Sequence, residues 1–269
     1  MEILMNAITS WGNAPIYYSL VQVIFNNVPN MEEFYPKIAN SFKKLGFNDP
    51  IEVVNEGVRF EMTDLQTPKV TQTKEKRWDI YNQARDSVFH LSNNSLVFST
   101  TKYVNREEFI GKIVNGLEII SSYVSLVFID KIGLRYIDLI IPKSDDDIYQ
   151  YLSAGVRGLD STDGLIFKHK LSETVLIKGS HLLIGKTIIT QQPVGLVNPG
   201  VLGLIDLTPL NKFTLDVASD VTCFDNDCSI TERMSYSAQL VKDKLLELRE
   251  SVEIIFSKSY TDYAEGVWK

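Results

Sequence analysis

Histidine is the commonest general base, and the chain of 269 residues carries three: His90, His169 and His181. No H-E-x-x-H or H-x-H spacing joins them, so none is arranged as a metal ligand. His90 sits in an alternating pattern and reads as a surface or edge residue of a strand. The two cysteines, Cys223 and Cys228, stand as C-x4-C with no histidine within twenty residues. A zinc site needs about four ligands, usually as two close pairs, so this is half a site. Reduced thiols in a cytosolic protein are the better reading, and Cys223 has no base partner that would make it a nucleophile. The glycines of GVRGLDSTDG, residues 155–164, form neither a phosphate-cradling G-x-x-x-x-G-K-S/T loop nor a G-x-G-x-x-G turn. No G-x-S-x-G elbow occurs. No catalytic residue, metal or cofactor is assigned, and the reading leans away from an enzyme.

Two stretches keep a candidate role in binding. In KIGLRYIDLIIP, residues 131–142, Arg135 lies in the middle of an apolar strand pattern. Alternation puts Ile132, Leu134 and Tyr136 on one face and Gly133, Arg135 and Ile137 on the other. A guanidinium there offers a planar fork of donors to a carboxylate or another anion, and Gly133 leaves room beside it for a ligand, loop or helix. The alternative is an internal ion pair with an acid from the other half of the chain. The second stretch, KVTQTKEKRW at 69–78, carries four basic residues and one acid before Trp78. On a sheet rim Lys74, Lys76, Arg77 and Trp78 would touch phosphates; as a plain edge, the lysines would guard against aggregation. The candidate binding residues are therefore Arg135, Tyr136, Lys74, Lys76, Arg77 and Trp78.

The composition that must position these residues is that of an ordinary globular chain, 44% apolar and 23% charged with a net charge of −7. Divided after Pro142, the net charge is −2 before and −5 after, so neither half is basic. That disfavours general nucleic-acid binding, although a local patch can override a total. No run approaches the eighteen apolar residues of a membrane span, and MEILMNAITSWGNAP has no basic start and long apolar core of a secretion signal. The expectation is a cytoplasmic protein that does not engage membranes.

Periodicity then supplies the elements. IYYSLVQVIF after Pro15 reads as a strand. MEEFYPKIANSFKKLG reads as a helix capped by Asn30, with Phe34, Ile38, Phe42 and Leu45 on one face and Gly46 as its stop. IEVVNEGVRFEM, KRWDIYNQ, SVFHLSNN and SLVFSTTKY read as strands, with Asn93-Asn94 as a hairpin turn. NREEFIGKIVNGLEIISSY is a second helix, with Asn105 and Glu108 placed for a capping box and Phe109, Ile113, Leu117 and Ile120 as its stripe. A long strand follows from about Ser125 to Ile141. In the second half, DDDIYQYLSAGVRGL is expected to be a helix, its Asp145–Asp147 run favouring the N-terminus. GLIFKHKLSE, TVLIKGSHLLIGKTIIT and KFTLDVASDV are expected to be strands, and QQPVGLVNPGVLG a loop. SITERMSYSAQLVKDKLLELRESVEIIFSKSY is expected to be a long helix with Leu240, Leu245, Leu248, Val252 and Ile255 along one side. Strands joined mostly as hairpins argue for α+β. The architecture expected is two β-α-β4-α-like units, 1–142 and a closely packed 143–269, forming one curved, mainly antiparallel sheet with helices on one face and a shared seam near residues 125–141.

K-I-G-L-R-Y-I-D, residues 131–138, resembles the R-I-G-L-R-Y-I-N signature of a sporadically distributed, uncharacterised prokaryotic protein family. The resemblance extends to N-A-P-I at 13–16, Trp78, T-L-D-V at 214–217 and a closing I-I-F-S-K-S-Y-T at 254–261. Lys131 and Asp138 stand where the signature has Arg and Asn. The resemblance implies no activity, cofactor or catalytic residue; the family's patchy occurrence implies mobile genes, and hence antiphage-defence or toxin–antitoxin functions. Three functions follow as expectations. The first is a non-enzymatic interaction or regulatory component of such a module that binds a protein partner. The second is a nucleic-acid-binding module using a curved sheet, as in the saddle of the TATA-binding protein. The third is an enzyme with a dispersed site near Arg135.

Overall fold

A computed structural model describes residues 11–61, 69–143, 145–159, 165, 167–190, 207–213 and 221–269, with the side chains of all but 55–61 and 69–74. The strands are β1 Ile16–Phe25, β2 Phe47–Glu61, β3 Lys69–Asn82, β4 Ser87–Leu91 and β5 Ser95–Thr100, then β6 Phe128–Ile140, β7 His169–Lys178, β8 His181–Thr190, β9 Val221–Ile230 and β10 Met234–Ser235. The helices are α1 Met31–Phe42, α2 Arg106–Ser121, α3 Ala238–Ser259 and α4 Asp262–Trp268.

The strands form one curved, open sheet in the order β2-β3-β4-β5-β1-β6-β9-β8-β7, with β10 also on β6. Every pairing is antiparallel. β1 and β6 lie side by side at the middle, where Val21 faces Leu134 and Leu20 faces Arg135. On one side of that seam β5, β4, β3 and β2 follow β1 to the edge, and on the other β9, β8 and β7 follow β6. The seam expected near 125–141 is this β1–β6 pair.

Alternation along the strands sorts side chains between two faces. On one, Val21, Val23, Phe25, Ile132, Leu134 and Tyr136 join buried residues of α1, α2 and α3 in a single cluster drawn from both halves. The helices sit close. A Cβ on Gly116 of α2 would come within 2.9 Å of Leu96 and 3.0 Å of Phe89, and one on Gly185 of β8 within 2.9 Å of Ile255 on α3. The room expected at Gly133 is not of this kind, since a Cβ there would meet Ser229 at an ordinary 3.8 Å. Among the described residues no α-helix lies on the opposite face. Its end nearest Tyr18, Tyr81, Ile137 and Cys223 is covered by Leu207 and Phe213 of the 207–213 segment.

Several expectations are corrected. Residues 145–159 form no α-helix; two single 3-10 turns, Ile148–Gln150 and Ala154–Val156, stand there. Asp147 caps the first turn by accepting from Tyr149 N, while Tyr151 donates to Asp146 at 2.5 Å. Gly158, at φ 70°, takes a left-handed conformation that no α-helix accommodates. TVLIKGSHLLIGKTIIT holds the end of β7, a turn at Gly179-Ser180 and β8. α3 starts at Ala238 rather than near Ser229, because Ser229 and Ile230 finish β9 and Ser237 caps the helix by accepting from Leu240 N. Asn30 makes no side-chain cap on α1, whereas Asn105 caps α2 by accepting from Glu108 N at 2.8 Å. His90 is buried in an interior strand rather than at an edge. Residues 191–203 and 214–220, which hold the expected loop and T-L-D-V, lie outside the described residues.

Candidate functional site

The helix-free face holds a groove of about 830 Å³ that crosses β3, β4, β5, β1, β6 and β9. Its lining includes Arg77 and Arg135, whose side chains stand on this face; Lys76 and Trp78 border it from β3 but turn their side chains toward α1. Tyr136 does not line it. It points to the helix face, where its ring packs against Tyr103 and Phe109 and lies under the Arg249 guanidinium. The side chain of Lys74 lies outside the described residues.

Arg135 stands directly across from Asp227 on β9 but reaches diagonally to Asp225. Its Nε and Nη2 donate to the two carboxylate oxygens at 2.6 Å each. The hydrogen bonds to Asp225 raise the guanidinium's already high pKa further against the opposing effect of burial. This is an ion pair between the two halves of the chain, ninety residues apart. Asp227, which has no such partner, lines the groove, and burial pushes its carboxyl upward despite the pull of Arg135 and Lys131.

A second network lies on β3 and β4. Arg77 donates to both oxygens of Asp79 at 2.7 and 2.8 Å, and Asp79 shares a 2.6 Å hydrogen bond with His90 Nδ1. Burial pushes the Asp79 carboxyl up, but the bonds from His90 and Arg77 together outweigh it and hold the group below the ordinary carboxylate range. A carboxylate that fixes one ring nitrogen of a histidine orients the other for proton transfer. Among the described residues, no hydroxyl or thiol hydrogen-bonds that other nitrogen, so the dyad lacks an adjacent nucleophile. Trp78, on the same strand, faces the helices, stacked on Tyr35 at 4.7 Å with Nε1 donating to Glu52 at 3.3 Å. Lys76 is held by Glu32 of α1 and by Glu52.

The cysteines of β9 point to opposite faces: Cys223 belongs to the cluster under the 207–213 segment and Cys228 to the helix-side core. Neither pairing nor shared coordination is open to them, and burial pushes both thiols up, Cys228 to about 12. No group of three or more metal-ligating side chains occurs among the described residues.

Sequence reading did not find Asp225, Asp227 or the Asp79–His90 pair. The alternation Asp225-x-Asp227 in VTCFDNDCSI was a usable signal, since it places both acids on the face of a strand. The Asp79–His90 pair had none, because register alone sets them opposite each other. No family model matches the chain, and none of the curated proteins does.

Proposed function

We propose that the chain is a non-enzymatic interaction or regulatory component of a bacterial antiphage-defence or toxin–antitoxin module that works by binding a protein partner, with the groove on the helix-free face as its contact surface. The observation that carries this reading is the groove itself. Half-buried Leu20, Gln22 and Val97 form its floor beside the fixed charges of Arg77, Arg135 and Asp227. A half-buried floor flanked by a few oriented polar groups suits a specific protein contact. The charges argue against the nucleic-acid alternative. On this face Arg77, Arg135 and Lys186 are each matched by an acid, Asp79, Asp225 and Glu173, which leaves those three cations little to offer a phosphate backbone. Among the described residues no helix is long and apolar enough to cross a membrane.

The test is co-expression with the products of adjacent genes. A complex that survives chromatography is expected, and Gln22→Trp and Val97→Glu, which fill or charge the floor, are expected to abolish it without lowering the melting temperature. A complex indifferent to both substitutions overturns the reading, as does the absence of any complex.

One observation favours a second reading, an enzyme. The groove brings Arg135 together with a carboxylate raised by burial, Asp227, and a carboxylate-oriented histidine, His90, a combination suited to acid–base work. Turnover of any substrate that is lost in both His90→Gln and Asp227→Asn, with folding intact, would establish it.

A further inference from the structure

The outermost strand β7 pairs with β8 along its whole length without a bulge, and among the described residues nothing pairs with its other edge. It contains no proline. Its helix-free face carries Leu171 at 62% exposure, Val175 at 55% and Ile177 at 78%, beside Leu182 of β8 at 41%. Folded chains blunt a free edge with proline, bulges, inward charges or a covering loop. Among the described residues β7 has none of these at its centre, and its lysines stand only near the ends, at Lys170 and Lys178.

We propose that two copies of this chain join edge to edge through β7, as an antiparallel pair about a two-fold axis that passes through Thr174 perpendicular to the sheet. The strand's own sequence selects a second copy as the occupant. Pairing about Thr174 sets Leu171 opposite Ile177 of the other copy, and Glu173 opposite Val175, twice over by symmetry. Residues of like parity meet, so Leu171, Val175 and Ile177 of both copies stay on the helix-free face and the two exposed patches merge into one stripe, while Leu176 on the other face meets Ser172. A shift that centred the axis on Glu173 would set the two glutamates directly opposite, which is unfavourable. Lys170 and Lys178 meet only at the open ends, where solvent and salt screen them. A ten-residue strand on each side reaches the ~1,000 Å² that a specific interface needs if each residue contributes about 50 Å², which the exposure of Leu171, Val175 and Ile177 permits. The joined sheet would run unbroken through both chains, with the helices of both on the same side.

Sedimentation velocity at tens of micromolar is expected to show a dimer. Leu171→Glu or Ile177→Lys alone should weaken it at least about tenfold. Combined in one chain, they place opposite charges across the axis and should restore it. Thr174→Cys should crosslink two chains on mild oxidation, since residues directly opposite in an antiparallel pair have Cα atoms about 4.5–5.5 Å apart, within disulfide reach. Ser172→Cys should not, its symmetry mate lying ~13 Å away along the strands. The native thiols, Cys223 and Cys228, are both buried and do not interfere. Melting temperatures of the variants check that each is folded. A monomer throughout the concentration range overturns the proposal, as does a dimer crosslinked through position 172 instead of 174, or one that ignores the charged substitutions.

Discussion

Replacing Arg135 by methionine removes one half of the ion pair that joins the two halves of the chain. The Asp225 side chain is 5% exposed, and both its oxygens accept from Arg135 at 2.6 Å. Without the guanidinium, the carboxylate faces Asp227 and Asp138, both close enough to feel its charge. Stranding one member of a buried pair costs about 3–5 kcal/mol. The Arg135 side chain is 22% exposed, so water reaches that end, and the lower end, about 3 kcal/mol, is the expected loss. At roughly 2–4 °C per kcal/mol for a chain of this size, the melting temperature should fall by about 6–12 °C. Urea denaturation followed by circular dichroism measures the loss directly. A second arm separates the pair from its charges: Arg135→Met with Asp225→Leu leaves no orphaned carboxylate and should recover most of the loss. The reasoning is refuted if Arg135→Met unfolds at the wild-type midpoint. If that variant also loses partner or ligand binding, Arg135 is a recognition group and Asp225 only its support.

Asp138 makes the opposite demand. Burial, opposed by Arg249 and Lys212 and reinforced by Asp225, raises its carboxyl from 3.8 to about 7. The folded chain therefore holds a proton that the unfolded chain releases, and this group lowers stability as pH climbs from about 4 to about 7, with no further change above that. The stability of Asp138→Asn relative to wild type should rise across that window, by a ceiling of about 4 kcal/mol, in urea titrations at several pH values; a flat difference would contradict a carboxyl held protonated by burial. Asp79 acts in the other sense. Its carboxyl is lowered by His90 and Arg77 against the larger single effect of burial, so its stabilising contribution is present above the ordinary carboxylate range and lost as pH falls through the folded value. Asp79→Asn should flatten the acid limb of the stability curve, and an unchanged limb would exclude the network as its source. Asn105→Ala removes the cap on Glu108 N and should cost about 1 kcal/mol in the same assay.

Much of the architecture was legible locally. Proline at 15, the β-branched and aromatic run that follows, and the amphipathic stripes of α1 and α2 each state their element without help from elsewhere, because a period of two or 3.6 is a property of neighbouring residues. The antiparallel α+β sheet was legible too. Local signals misled where a distant contact decides. Asp145–Asp147 looks like a helix start, but those acids serve a 3-10 turn and the hydroxyls of Tyr151 and Tyr263. Sequence reading assigns the middle of VTCFDNDCSI to no element; it is β9, and its charge at Asp225 is tolerated because Arg135 answers it from ninety residues away.

By itself, then, the sequence determined which segments extend, which coil, and that the strand carrying Arg135 has two chemically different faces. It could not determine what Arg135 touches, that His90 leans on Asp79, or that Arg77 and Arg135 share one groove. Those relations depend on strand register and on which strands become neighbours. Both are set by the packing of the whole sheet against its helices, and no stretch of residues encodes them alone.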